Sequence, residues 1–230
     1  MLDALKQRVF DANMALKQEG LVVLTWGNAS AYDPETGLVV IKPSGVAYAT
    51  MKVEDMVVVD LHGRVVEGVL NPSSDTPTHL RLYQRFPELR GIVHTHSRWA
   101  TVFAQAAQSI APLGTTHADY FEGPIPVTQA MSQAQIDDRY EHHTAIVIEE
   151  AFEGTHPLNI PAVLVKEHGP FTFGKSVEEA LMHAIVLEEV AFMAYHAKTL
   201  NPLLTSMDSQ LHKKHYNRKH GAHAYYGQKK

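Results

Sequence analysis

The sequence predicts an α/β fold: a single domain in which a central mixed, mostly antiparallel sheet is flanked by helices. Short runs rich in valine and isoleucine recur along the chain, and amphipathic helical patterns lie between them. No flexible linker, internal repeat or low-complexity segment divides the sequence. The 230 residues, 45% of them apolar and 20% charged, are enough for one large domain with a substantial core.

The first half of the chain predicts two helices and several short strands. Residues 1–20 place five apolar side chains on one helical face: Leu2, Leu5, Val9, Ala12 and Leu16. Strand-like runs follow within residues 21–33, 38–45 and 56–68, the last with a tight turn at His62–Gly63. The pattern of residues 71–86 predicts a helix that is capped near Ser74 or Asp75 and ends before Pro87.

The second half of the chain predicts further strands and helices in alternation. Strands are expected within residues 91–96 and 124–129, and two more within 161–174, broken at Gly169–Pro170. Helices are expected over residues 97–107 with Ser97 as N-cap, and over residues 133–152. Ser176 and Glu179 form a capping-box pattern that opens a long buried helix, which a polar helix and a tail follow.

The composition argues against several kinds of partner and site. The net charge of −5, with histidine neutral, gives no reason to expect nucleic acid or an anionic membrane as partner. The apolar stretch 180–195 is interrupted by Glu188 and Glu189, and the N-terminus lacks the apolar core of a signal peptide, so we expect a cytoplasmic protein. Because there is no cysteine, nitrogen and oxygen atoms must hold any metal, and the 15 histidines are candidates.

Two histidines at the end of a predicted strand suggest a metal site. His94 and His96 are two residues apart, so in a strand their side chains project to the same side. Such a pair forms half of a tetrahedral zinc site or part of an octahedral one, although two strand histidines bonded to nearby backbone give the same pattern. His168 also stands at a strand end, where sites collect in α/β sheets, or is simply a turn residue.

Asp75 is a fourth candidate ligand. It directly precedes a predicted helix, and aspartate followed by Pro77 is also a favoured N-cap, so the sequence leaves a metal contact and a cap equally open. Neutral histidine ligands without cysteine suit Zn²⁺, Mn²⁺ or Co²⁺ better than Ca²⁺ or Mg²⁺.

Three loops combine glycine, serine and amide residues in a way that suits a small phosphate. Small residues leave backbone N–H groups accessible, and a helix N-terminus favours an anion. Each loop alone is equally typical of an ordinary turn. The residues concerned are Gly27 and Asn28 in the first loop, Lys42, Ser44 and Gly45 in the second, and Ser73 and Ser74 in the third.

Two further segments contain candidate acid–base or docking residues. Asp119 lies in a polar stretch with little periodicity, which is typical of a loop that lines a site and equally of a plain surface loop. The basic C-terminal tail fits a solvated tail or a nucleic-acid patch, and the acidic overall balance disfavours the patch. Tyr225 and Tyr226 in so polar a segment suggest that it docks on a surface such as another subunit.

Several motifs together resemble the epimerases of the class II aldolase/epimerase superfamily. These are TWGNAS at 25–30, IKPSGV at 41–46, PSSDTPTH at 72–79, GIVHTHS at 91–97, GTTHADYF at 114–121, HGPFTFGK at 168–175 and KHGAHAYYGQ at 219–228. The resemblance runs from the first helix to the last residues, and Thr172 departs from the small residue expected there. It implies a three-layer α/β/α fold and a C4-symmetric homotetramer with a divalent metal, usually zinc, at each subunit interface.

The resemblance also implies roles for individual residues. The metal ligands would be His94, His96 and His168, with Asp75 at or near the metal. The sugar phosphate would be bound by Gly27, Asn28, Ser44, Gly45, Ser73 and Ser74, with Lys42 beside them. Asp119 and Tyr226 would be the acid–base pair, with Tyr226 arriving from the neighbouring subunit on the tail, residues 213–230. His215 and Arg218 would help to place Tyr226.

The reaction implied is the interconversion of L-ribulose 5-phosphate and L-xylulose 5-phosphate. Because C4 carries no acidic hydrogen, such enzymes cleave C3–C4 in a reversed aldol step, rotate the aldehyde fragment and re-form the bond. Proton transfer on both faces then needs two groups. One alternative is a class II sugar-phosphate aldolase, in which glutamate tends to stand at the position of Asp75. Another is a non-catalytic metal-dependent interaction module that uses the basic tail.

Overall fold

The computed structural model describes residues 2–228, and helices and strands alternate along them as the sequence predicts. The helices are α1 Leu2–Gln18, α2 Thr76–Arg85, α3 Arg98–Gln105, α4 Thr115–Ala118, α5 Gln133–Asp137, α6 Tyr140–Ala151, α7 Val177–Leu200 and α8 Ser209–His220. The strands are β1 Asn28–Asp33, β2 Leu38–Ile41, β3 Val57–Asp60, β4 Val65–Glu67, β5 Gly91–His94, β6 Ala162–Leu164 and β7 Pro170–Gly174. A short 3₁₀ turn, Val53–Asp55, precedes β3.

These strands form one seven-stranded sheet in the order β4-β3-β2-β1-β5-β7-β6. Each neighbouring pair is antiparallel, and an isolated parallel bridge joins Val127 to Leu164. The interior strand β5 pairs with β1 and β7, which lie far from it in the sequence. The mostly antiparallel sheet is therefore confirmed.

Helices cover both faces of the sheet, which gives the three layers that the resemblance implies. Because successive strand residues point to opposite faces, Val40, Val58 and Val93 pack against α1 and α7. Their strand neighbours Val57 and Ile92 pack on the other face against α2 and α6. A third cluster joins α3 and α7 at the β6 end of the sheet.

Two predicted strands are shorter than expected. Residues 21–27 are irregular, and β1 begins only at Asn28, because Leu24 has φ of +54° and so cannot continue an extended strand. Leu21 and Val22 still contribute to the core. Within 124–129 the extended backbone makes only single bridges, at Ile125 and Val127.

The helix starts differ in detail from their predictions. Residues 133–152 form two helices, because Arg139 has φ of +44° between α5 and α6. Ser97 occupies the N-cap position of α3 without a capping bond, since the Glu188 carboxylate accepts from the N–H groups of Trp99 and Ala100 instead. Ser176 does cap α7 by accepting from the N–H of Glu179.

None of the helices within residues 2–228 combines the length and the apolar character needed to cross a bilayer.

Gly91 marks the closest approach between the sheet and α7. A Cβ at this position would lie 2.6 Å from the Cα of Val177 and would also overlap the carbonyl of Ser176. Backbone atoms cannot move aside cheaply, so Gly91→Ala should lower the free energy of unfolding in urea by about 1–3 kcal/mol. In Gly114→Ala, where no atom lies within 4 Å of the added Cβ, the change should stay within about 0.5 kcal/mol. Equal losses in the two variants would contradict this packing.

Candidate active site

The centre of the sheet brings three histidines together. His94 is the last residue of β5 and pairs with Asn28 of β1 on one side and with Phe171 of β7 on the other. His96 lies two residues beyond β5, and His168 lies in the loop that leads into β7. Because β5 and β7 are antiparallel, the end of one strand meets the start of the other, and the three imidazoles converge there.

The three histidines have the geometry of a ligand set. One ring nitrogen from each of His94, His96 and His168 lies within 4.8 Å of the other two. Their ring centroids are 4.7 to 5.0 Å apart. His94 is buried, His168 is half-buried and His96 is exposed, so the group opens to solvent on one side. We call these three residues the histidine triad.

Burial favours the neutral form of His96 and His168, and a hydrogen bond orients His94. The Nδ1–H of His94 donates to the carbonyl of Pro170 at 3.0 Å, which leaves its Nε2 lone pair free, and the ring stacks on Phe171. Burial, together with the facing charges of His94 and His96, lowers the pKa of His168 to about 3. Burial also lowers the pKa of His96, with a further contribution from His94. Neutral imidazoles are the form that binds a metal.

Asp75 faces the triad and does not cap its helix. Its side chain makes no capping bond to α2, and its Oδ2 accepts from Asn28 Nδ2 at 2.7 Å and lies 4.0 Å from His94 Nε2. Burial raises the pKa of Asp75, but the imidazoles of His94 and His79 and the Asn28 hydrogen bond outweigh it, so the pKa lies below its usual value. Asp75 therefore bonds to a residue of β1 and does not cap α2 with its side chain, and its contact with a metal stays a prediction.

The donors present fit a divalent transition metal. Three imidazoles with a carboxylate beside them provide nitrogen and oxygen ligands that suit Zn²⁺, Mn²⁺ or Co²⁺. The hydrogen bond from His94 to a backbone carbonyl is the kind of outer contact that fixes a ligating histidine in orientation and tautomer. Within residues 2–228, this is the one group of three or more such side chains that comes close enough to hold an ion.

The three predicted phosphate loops surround the triad. Together they line a cleft of about 340 Å³ that also includes the histidine triad and Asp75. Backbone bonds join two of the loops, since the N–H of Ser44 donates to Asn71 and that of Ser73 to Lys42. The lining contains all seven residues predicted for substrate binding in these loops: Gly27, Asn28, Lys42, Ser44, Gly45, Ser73 and Ser74.

Two of these residues show why the cleft suits a polar, anionic ligand. Lys42 is only 2% exposed, and its Nζ donates to the carbonyls of Thr25 and Pro43 at 3.2 and 3.3 Å, without a carboxylate partner. Burial lowers the pKa of Lys42. When it is protonated, its ammonium places positive charge beside the cleft. The buried Oδ1 of Asn28 has no hydrogen-bond partner and can accept from a ligand.

Gly27 lets the first loop lie against the end of β5. Its φ is +76°, and a Cβ there would lie 3.0 Å from the carbonyl oxygen of His94 and 2.6 Å from the side chain of Val22. Only glycine fits this conformation without strain.

The predicted acid–base residues form a second cluster, which is separate from the lining of the cleft. Asp119 follows α4, and its Oδ1 accepts from Arg218 Nε at 2.9 Å and lies 3.0 Å from His215 Nδ1 on α8. Burial raises the pKa of Asp119, but Arg218, His215 and Lys219 outweigh it and keep the carboxyl ionised. The Tyr226 ring centroid lies 5.0 Å from the Arg218 guanidinium carbon. We call Asp119, His215, Arg218, Lys219 and Tyr226 the α8 cluster.

Two residues of the site were not predicted. The Trp26 ring lies 6.0 Å from that of His96 at the rim of the cleft, and its place in the WGNAS turn was the only available signal. Tyr140 at the start of α6 has its hydroxyl 3.3 Å from His168 Nδ1. Nothing in the surrounding sequence marks Tyr140, because α6 meets His168 only through tertiary packing.

Comparison with known proteins agrees with this architecture. The profile of the family "Class II Aldolase and Adducin N-terminal domain" matches residues 7–195. The chain is 58% identical over 228 residues, 99% of its length and all of the relative's, to L-ribulose-5-phosphate 4-epimerase UlaF of Salmonella paratyphi B, and equally to that of Salmonella typhi. A solved L-fuculose 1-phosphate aldolase is 25% identical with a TM-score of 0.78, covering 94% of this chain and 95% of its own. The enzyme of that name from Thermus thermophilus is 24% identical with a TM-score of 0.67, covering 88% and 98%.

Removing one member of the triad should abolish stable metal binding. We expect His168→Asn to lose more than about nine tenths of the zinc that the unchanged protein retains after dialysis, because two imidazoles hold the ion far more weakly than three. His156→Asn is the matched control, since His156 is half-buried beside Glu88 and away from the cleft. Elemental analysis of zinc per chain makes the comparison. If His168→Asn retained its zinc while His156→Asn lost it, the triad would be ruled out as the metal site.

Proposed function

The chain belongs to the class II aldolase and adducin N-terminal domain family, and on that basis we propose that it is a metal-dependent epimerase. The proposed reaction interconverts L-ribulose 5-phosphate and L-xylulose 5-phosphate through cleavage and re-formation of C3–C4. The observation that carries the proposal is the cleft itself, which combines the histidine triad and Asp75 with three loops suited to a phosphate. The relatives at 58% identity bear the name of this activity and align along their whole length.

We propose that the triad and Asp75 hold one divalent cation, zinc in the first place, with Mn²⁺ or Co²⁺ as alternatives. When bound there, such a cation supplies positive charge that lowers the energy of the negative oxygen formed as C3–C4 breaks. Asp75 adds its ionised carboxylate beside the triad, where it balances part of that charge. Burial of His94 and Asn28 excludes water from one side of the reacting atoms.

The loops account for retention of the aldehyde fragment between the two half-reactions. A phosphate held by Ser44, Ser73, Ser74 and Lys42 keeps glycolaldehyde phosphate in the cleft after cleavage. The fragment can then turn about its C4–C5 bond and present its other face. A fragment that is held by its phosphate alone can rotate without leaving the cleft. This retention separates an epimerase from an aldolase with similar residues.

We propose that the α8 cluster of one chain completes the cleft of its neighbour in a C4-symmetric homotetramer. None of its five members is among the residues that line the cleft of its own chain, although proton transfer requires groups at the reacting atoms. Tyr225 and Tyr226 are 69% and 62% exposed, as expected of tail residues whose partner is another subunit. Because Arg218 contacts both Asp119 and Tyr226, the two groups would reach the same neighbouring cleft together with the tail, residues 213–230.

The roles of the two groups follow from their surroundings. Asp119 is held as a carboxylate by Arg218 and His215, so it accepts a proton from the substrate hydroxyl. Tyr226 presents its hydroxyl from the other end of the same cluster and exchanges a proton on the opposite face.

The direct test is NMR of L-ribulose 5-phosphate with the zinc-loaded protein, with and without EDTA. We expect L-xylulose 5-phosphate to appear only when the chelator is absent. A sugar-phosphate aldolase is the second candidate, favoured by the likeness to a solved L-fuculose 1-phosphate aldolase. It predicts free dihydroxyacetone and glycolaldehyde phosphate instead. An unchanged sugar in both tubes would contradict the epimerase proposal.

Mixing two inactive variants tests whether the site is shared between chains. His94→Asn removes a triad ligand, and Tyr226→Phe removes the tail hydroxyl, so each variant alone should lose most of its turnover. In randomly mixed tetramers, about a quarter of the clefts combine an intact triad with an intact neighbouring Tyr226, and about that share of activity should return. Activity no higher than the sum of the two variants would place Tyr226 in the cleft of its own chain.

A further inference from the structure

A row of buried polar side chains joins α2 to β1 beneath the cleft. Asp75, His79 and Tyr83 are four residues apart and share one face of α2. Asn28 and Ser30 alternate along β1 and face them. Asn28 bonds to Asp75, while Ser30 Oγ lies 2.7 Å from His79 Nδ1 and 2.8 Å from the Tyr83 hydroxyl. We call these five residues the α2–β1 ladder.

The donor and the acceptor of each hydrogen bond in the ladder can be assigned by starting from Tyr83. The carbonyl of Ser30 can only accept, so the Tyr83 hydroxyl donates to it at 3.1 Å. Ser30 Oγ then donates to the Tyr83 oxygen, and His79 Nδ1–H donates to Ser30 Oγ. In this arrangement a different hydrogen atom makes each of the three contacts: Tyr83 hydroxyl to Ser30 carbonyl, Ser30 Oγ to Tyr83 oxygen, and His79 Nδ1 to Ser30 Oγ. Burial lowers the pKa of His79 to about 3, which keeps the imidazole neutral.

The ladder lies where a polar side chain is costly. His79 and Ser30 are fully buried, and Tyr83 is 1% exposed. Buried polar groups destabilise a fold unless they are bonded, and the buried Nε2 of His79 has no hydrogen-bond partner within residues 2–228. The bonds that the ladder does make hold α2 and β1 rigidly together. An apolar residue at position 79 would avoid this cost, and the proposed reaction makes no direct use of His79, Ser30 or Tyr83.

We propose that His79 is a positioning residue that holds Asp75 beside the histidine triad. Its bond to Ser30 fixes α2 against β1, and Asp75 lies one helical turn earlier on the same face of α2. Asp75 Oδ2 is 2.7 Å from Asn28 and 4.0 Å from His94 Nε2, so a small slide of α2 would disturb both contacts. The inference rests on the proposed function for its effect on turnover, but its effect on metal affinity is independent of the reaction.

The test compares two substitutions of His79 through affinity for Zn²⁺ alone, measured by competition with a chromogenic chelator. His79→Leu removes the donor to Ser30 and should weaken zinc binding about tenfold, the scale typical of outer contacts to a metal site. His79→Asn keeps an N–H near the position of Nδ1 and should restore affinity to within about threefold of the unchanged protein. If His79→Leu binds zinc as tightly as the unchanged protein, the proposal is wrong.

A double-mutant cycle separates positioning from a general loss of stability. If His79 acts through Asp75, then Asp75→Asn/His79→Leu should bind zinc and turn over substrate no worse than Asp75→Asn alone. Losses that add would mean that His79 acts independently of Asp75, and would overturn the proposal.

A matched control is His183→Leu, since His183 is also a buried helical histidine whose Nδ1 donates to a strand carbonyl, that of Phe173. His183→Leu should lower the melting temperature and leave zinc affinity unchanged. Should His79→Leu fail to fold, Ser30→Ala removes the same bond from the other side and is expected to show the same weakening. If the protein does not catalyse the epimerase reaction, the zinc affinities of the single and double variants still test whether His79 positions Asp75.

Discussion

The pairing of β5 between β1 and β7 is the constraint on which the site depends. Its register sets His94 opposite Asn28 on one side and Phe171 on the other. These pairings bring the first phosphate loop, the end of β5 and the loop of His168 to the same end of the sheet. A slip of β5 by one residue would turn His94 to the opposite face of the sheet, away from Asn28, because side chains alternate along a strand. The cleft and its ladder exist only in this register.

The sequence predicted the convergence of the three histidines because its signals are local. His94 and His96 are two residues apart at a strand end, and His168 precedes a Gly–Pro turn, so their convergence needed only the assumption that these strands are neighbours. Asp75 was ambiguous, since a cap and a site residue look alike in sequence. The deciding contact, with Asn28, joins residues that are 47 positions apart.

The parts that sequence reasoning missed depend on tertiary structure. The strand expected from residue 21 starts only at Asn28 because of the backbone turn at Leu24, which no glycine or proline marks. Ser97 occupies the N-cap position of α3, but the carboxylate that accepts from the first N–H groups belongs to Glu188, on another helix. The α8 cluster shows the same limit. All of its residues except Lys219 were singled out, but the bonds of His215 and Arg218 to Asp119 span almost 100 positions and had no local signal.

Two chemically different regions result from this fold. The cleft gathers imidazoles, hydroxyls and one buried lysine at the end of β5, which suits the binding of a metal and a phosphate. The α8 cluster gathers an ionised carboxylate with three cationic or titratable partners near the C-terminus, which suits proton transfer. If the α8 cluster of one chain completes the cleft of a neighbouring chain, turnover requires assembly of the subunits, whereas metal binding does not.

X-ray absorption at the zinc edge of the loaded protein would test the central claim most directly. If the histidine triad holds the ion, the spectrum should show three imidazole nitrogens at about 2.0–2.1 Å, completed by oxygen. The imidazole signal should decrease by one ligand in a variant that lacks any single member of the triad. A first shell made of oxygen alone, or an imidazole count that no triad substitution changes, would contradict the claim that this cleft is the metal site.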